Sequence, residues 1–140
     1  MERALCVAVL VVALAPPLAA HHSPAVFDLR NEITLTGVVA AFQFRNPHLF
    51  IHVEVADGSD LEGEWEVEAQ SPRIMTLYGW SSTSLRPGER VVVVVNPPQQ
   101  KKRRLALGRS VLKADGTTLP IPWNRDEIRR ALREAEESKR

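Results

Sequence analysis

Five valines in a row, at residues 91–95, constrain the fold of this chain more than any other stretch. Each is branched at Cβ, which stiffens χ1 and favours extended backbone over helix. The run is far shorter than the roughly 20 residues that a membrane-spanning helix needs. It predicts a strand buried on both faces or a strand of a closed barrel. Two other segments alternate with period two. Over residues 48–55, Leu49, Ile51, Val53 and Val55 share one face, while His48, Phe50, His52 and Glu54 share the other. Over residues 64–69, Trp65, Val67 and Ala69 oppose Glu64, Glu66 and Glu68. Such alternation marks half-buried strands.

Turn and cap residues supply the order. Residues 32–44 read as a first strand, with Ile33, Leu35, Val39 and Ala41 on one parity and a bulge or sharp bend expected at Gly37. Asn46-Pro47 marks a turn and Asp57-Gly58 a hairpin. Ser71-Pro72 resembles an N-cap with proline at the first helical position, followed by Ile74, Leu77 and Tyr78 at helical spacing and Gly79 as a stop. After the valines come a loop over residues 96–104 and a last strand over residues 105–113, closed by Asp115-Gly116. The order strand, strand, strand, short helix, strand, strand predicts a mainly-β fold. It fits a five-stranded Greek-key barrel of the OB type with a short helix between strands three and four. Residues 120–140 read as a proline-containing linker and a charged C-terminal helix. Asn124 and Glu127 start that helix, and its thin apolar stripe (Ile128, Leu132, Ala135) predicts weak docking or fraying.

Residues 1–20 read as an export signal: Arg3, an apolar run over residues 4–14, Pro16-Pro17, then Leu18-Ala19-Ala20. The barrel domain is then expected over residues 21–119, in a protein that is periplasmic or secreted. The one cysteine, Cys6, falls inside the signal, so the exported chain would form no disulfide. Charge is nearly balanced, with 18 basic and 17 acidic residues, which argues against a nucleic-acid partner.

All four histidines fall in two short stretches. A cut after Ala20 makes His21 the first residue, and its amine and imidazole can chelate one metal ion. A cut after Ala19 puts a histidine in third position, where amine, backbone amides and imidazole suit square-planar copper or nickel. The first cut is favoured, because the second needs proline at the −3 position. Copper, or zinc, is therefore the expected cofactor if one is bound, with His21, His22 and His48 as ligands. His52 is a weaker candidate, since four strand residues separate it from His48 by roughly 13 Å. Glu66 or Glu68 could ligate the metal or orient an imidazole. The plain alternative is a solvated terminus, with His48 capping a turn.

A second expectation needs no metal. Phe50 stands outward between the two histidines, and residues 99–104 carry Lys101, Lys102, Arg103 and Arg104. Together they suggest a surface for a periplasmic protein or small ligand, or weak contact with an anionic membrane surface. No nucleophile–base pair and no phosphate-binding glycine loop is evident, so an enzyme is not expected. A copper-dependent oxidase on the terminal histidine would need a substrate surface that the sequence does not display.

Taken together, His21-His22-Ser23, Leu35-Thr36-Gly37, Asn46-Pro47-His48 with Ile51, Trp65 and Glu68, Ser71-Pro72, Gly79-Trp80, Leu85-Arg86-Pro87-Gly88 and Asp115-Gly116 carry a resemblance. The chain resembles a family of small exported bacterial proteins known only as a domain of unknown function, over residues 20–119. The resemblance implies a periplasmic OB-like barrel and no established activity. The basic run at residues 101–104 departs from it, and the C-terminal helix lies outside it.

Overall fold

A computed structural model describes residues 26–140. The expected signal peptide, His21 and His22 lie outside the described residues. Within them the chain runs β1 (Ile33–Gln43), β2 (Phe50–Val55), β3 (Gly63–Glu68), α1 (Pro72–Leu77), β4 (Arg90–Asn96), β5 (Leu105–Lys113), β6 (Thr118–Pro120) and α2 (Arg125–Glu137). The protein is mainly β. Five strands close a barrel in the order β1-β2-β3-β5-β4, with the helix expected between strands three and four. The closing seam is a short parallel pairing of β3 with β5, from Glu66 opposite Leu105 to Glu68 opposite Leu107. No helix among the described residues is long and apolar enough to cross a membrane.

Closure begins in β1. Its first half pairs with β4, from Ile33 opposite Val95 to Val38 opposite Arg90. Its second half pairs with β2, from Val38 opposite Glu54 to Gln43 opposite Phe50. A strand shared in this way must coil, and the register shift lies between Val39 and Ala41 rather than at Gly37. This bulge flips the parity expected for Ala41. Ala41 sits opposite His52 on the outer face, and Phe42 sits opposite Ile51. Phe42 packs toward the core, its ring 6.0 Å from that of Trp80. Gly37 serves close approach instead: an ideal Cβ there would lie 2.3 Å from the Glu54 carbonyl oxygen.

The valine run is a barrel strand. Val91, Val93 and Val95 are buried, whereas Val92 and Val94 are half-buried on the outside. They meet Leu35, Val39, Ile51, Val53, Trp65 and Val67 in one core. Burying a side chain of this kind stabilises by roughly 1.5–3 kcal/mol. In α1 the buried residue is Met75, while Ile74, Leu77 and Tyr78 are half-buried. Ser71 precedes Pro72 as expected but makes no side-chain cap bond.

The stretch expected to be a linker is pinned to the barrel. β6 pairs with β5, Ile121 is buried in the core, and the Trp80 indole N–H donates to the Pro120 carbonyl at 2.8 Å. The Trp123 indole N–H donates to the Gly108 carbonyl at 2.6 Å. Asn124 Oδ1 then accepts from the Asp126 and Glu127 amides at 3.0 and 3.2 Å, the N-cap that starts α2. Ile128 is buried, and Arg73 of α1 pairs with Glu136 of α2 at 3.2 Å. The Tyr78 hydroxyl is buried beside α2; burial raises its pKa, and the Glu127 carboxylate adds to the effect.

Candidate functional site

The outer face of β2 and β3 carries the candidate residues. In-phase pairing puts Phe50 opposite Glu68, His52 opposite Glu66 and Glu54 opposite Glu64. The strict alternation forces this: with Ile51, Val53, Trp65 and Val67 buried, every histidine and glutamate of the two strands must face out.

His48 precedes β2. Its neighbour Leu49 is clamped to the end of β3, donating to the Gln70 carbonyl at 3.2 Å and accepting from the Ala69 amide at 2.9 Å. This clamp brings the His48 Nδ1 against Glu68 Oε1 in a hydrogen-bonded pair, both side chains less than a third exposed. His52 lies mid-strand. Its Nδ1 contacts Glu64 Oε1 at 3.0 Å, and its Nε2 lies 3.2 Å from the Gln43 amide nitrogen and 3.9 Å from Glu66 Oε2. With Gln43 donating to Nε2, the Nδ1–H donates to Glu64. The two imidazoles therefore do not converge. Each takes its own carboxylate, as the strand rise predicts. Phe50, between them, is half-buried.

No group of three or more histidine, cysteine or acidic side chains among the described residues is arranged to hold a metal ion. The His48–Glu68 pair supplies two such side chains, short of that group. The chain enters at a defined place. Phe27 bridges to Pro98 and is buried, the Asp28 amide donates to the Pro97 carbonyl at 2.8 Å, and the Gln99 amide donates to the Val26 carbonyl at 2.9 Å. Leu29 and Gln70 line one cleft, so this segment lies at the barrel end that also presents His48. Asp28 itself is held below the usual carboxylate range by the Asn31 side chain and the Arg30 amide.

The basic loop divides. Lys101, Lys102 and Arg103 are exposed. Arg104 turns back: its Nε donates to the Glu62 carbonyl at 3.2 Å, its guanidinium to the Asp60 carbonyl at 2.9 Å, and the group sits 5.1 Å from the Trp65 ring centroid. Arg104 is a strap from this loop to the β2–β3 hairpin, with a cation–π contact to a core tryptophan. Sequence reasoning missed both this strap and the Phe27 anchor. An aromatic residue in a short connector was the signal for the anchor.

No curated protein and no solved structure matches the chain. One family model, described as a family of unknown function (DUF6152), matches residues 8–106, from the apolar N-terminal run through β4 to the start of β5. The match takes in His48, His52, the three outward glutamates of β3 and the basic loop, and stops before β6 and α2. The chain thus belongs to the DUF6152 family of unknown function.

Proposed function

We propose that this protein is an exported, periplasmic binding barrel that holds one late transition-metal ion, copper before zinc. His21 supplies its amine and imidazole, His48 a second imidazole, and His22 is the alternative ligand. The observation that carries this reading is the His48–Glu68 pair at the barrel end where the N-terminal segment is clamped. A carboxylate on one ring nitrogen fixes the tautomer and orientation of a ligating histidine and raises its basicity. Five residues from His21 to Val26 span up to roughly 17 Å of extended chain, enough to cross one end of a small barrel. His52 is better explained as a structural histidine, since Gln43, Glu64 and Glu66 surround it.

The test is native mass spectrometry of protein recovered from the periplasm after expression with its own leader. The expected species starts at His21 and carries one copper ion. A chain starting elsewhere, or one taking up no metal on titration, contradicts the reading. The second reading, a barrel that binds a protein or an anionic surface without metal, is favoured by the three exposed bases Lys101, Lys102 and Arg103 beside the clamped N-terminal segment. Under it, Phe50 and this loop make the contact. Co-sedimentation with anionic vesicles that is lost on Lys101→Ala/Lys102→Ala/Arg103→Ala would support it.

A further inference from the structure

A second candidate site, lined by none of the histidines, lies at the barrel end that also presents His48. A cavity of about 470 Å³ opens between the N-terminal segment, the end of β3, β5 and the start of α2. Its size falls within the roughly 300–1,000 Å³ of small-molecule sites. Its walls divide by chemistry. Leu29, Leu107 and Trp123 are apolar; Gln70, Arg109 and Arg125 are polar or cationic. Leu29 is 52% exposed, the most exposed large apolar side chain of the described chain, and it faces a concavity rather than a convex surface. The cavity is also pre-formed. The Trp123 indole is fixed by its bond to the Gly108 carbonyl, and the preceding Ile121 is locked into the core.

The charges select the ligand. Arg109 Nε lies 3.3 Å from Glu32 Oε1, so one of the two guanidinium charges is offset by a neighbouring carboxylate. Arg109, Arg125 and Glu32 together carry one net positive charge. That balance suits a monoanion better than a phosphate or a dicarboxylate, and the planar guanidinium matches a carboxylate in a two-bond fork. From these walls and this balance we infer that the cleft binds a small monocarboxylate with an apolar body. The carboxylate lies between Arg109 and Arg125, and the body lies along Leu29 and Trp123. Leu29 and Gln70 lie within the family match, whereas Arg109, Trp123 and Arg125 lie beyond residue 106, where it ends.

Isothermal titration of the full exported chain with 2-naphthoate and with decanoate tests the inference. 2-Naphthamide is the uncharged arm, and inorganic phosphate is the arm with charge but no apolar body. At least one carboxylate should bind saturably at one per chain, about ten-fold more tightly than the amide, with phosphate failing to compete. Arg125→Ala and Leu29→Asp should each weaken it about ten-fold with an unchanged far-ultraviolet spectrum, while Lys102→Ala leaves it unaltered. Equal binding of carboxylate and amide, no saturation in the millimolar range, or affinity indifferent to both Arg125→Ala and Leu29→Asp would overturn it.

Discussion

Two imidazole–carboxylate pairs share one face of this barrel, and they differ in what surrounds them. His52 lies inside a regular strand between two others. Its partners come from both neighbours, Gln43 on β1 and Glu64 and Glu66 on β3. His48 stands before the strand begins, at the end where β3 stops and the N-terminal segment is anchored. A histidine within a ladder is hemmed in by register. One at a barrel end is paired with a carboxylate, Glu68, and lies near the anchored N-terminal segment. The residue type is the same at both positions; what differs is position relative to strand ends.

The largest test attacks the seating of β2, the strand that carries His52 and follows His48, against β1. Gly37→Val drives a branched side chain into the Glu54 carbonyl and the Val53 side chain, so β2 must shift against β1. Urea unfolding should show a loss of about 3 kcal/mol or more. Glu68→Gln comes next. It keeps size and hydrogen bonding but removes the charge beside His48, and copper affinity should fall about ten-fold with little change in stability. Arg104→Ala should cost about 1–2 kcal/mol in the same unfolding assay. It removes two hydrogen bonds to the hairpin that carries Glu64 and the contact with Trp65. Glu64→Gln should be the mildest, under about 0.5 kcal/mol, because its pair with His52 is solvent-exposed on the carboxylate side. An effect of Glu64→Gln on copper affinity as large as that of Glu68→Gln would erase the distinction between the two pairs.

Much of this was legible in the residues, and the parts that were not share a cause. Alternation is a local property, so the inward and outward faces of β2 and β3 followed from the order of Leu49 to Val55 and Glu64 to Ala69. The Asn124 cap of α2 was legible for the same reason. The five valines left two readings open, and only pairing on both sides of β4 selects the barrel strand. Non-local pairing also decides the rest. The bulge at Ala40 turns Phe42 inward without any glycine or proline to announce it. β6 contains a proline and is three residues long, which reads as linker until β5 is seen beside it. At the candidate site, Glu68 was legible as a group that could orient a histidine. Which histidine it orients depends on the clamp of Leu49 to Ala69 and Gln70, a contact between distant parts of the chain.

The central claim is that His48 is poised to hold a metal and His52 is structural. Copper titration of the chain beginning at His21, of its His48→Ala and of its His52→Ala variants, followed by competition with a chelator of known affinity, separates them directly. The expected result is one tight copper per chain for the unsubstituted protein and for His52→Ala, and a loss of about ten- to a hundred-fold in affinity for His48→Ala. Unchanged affinity in His48→Ala would reduce any bound copper to a chelate of the chain terminus alone and contradict the account.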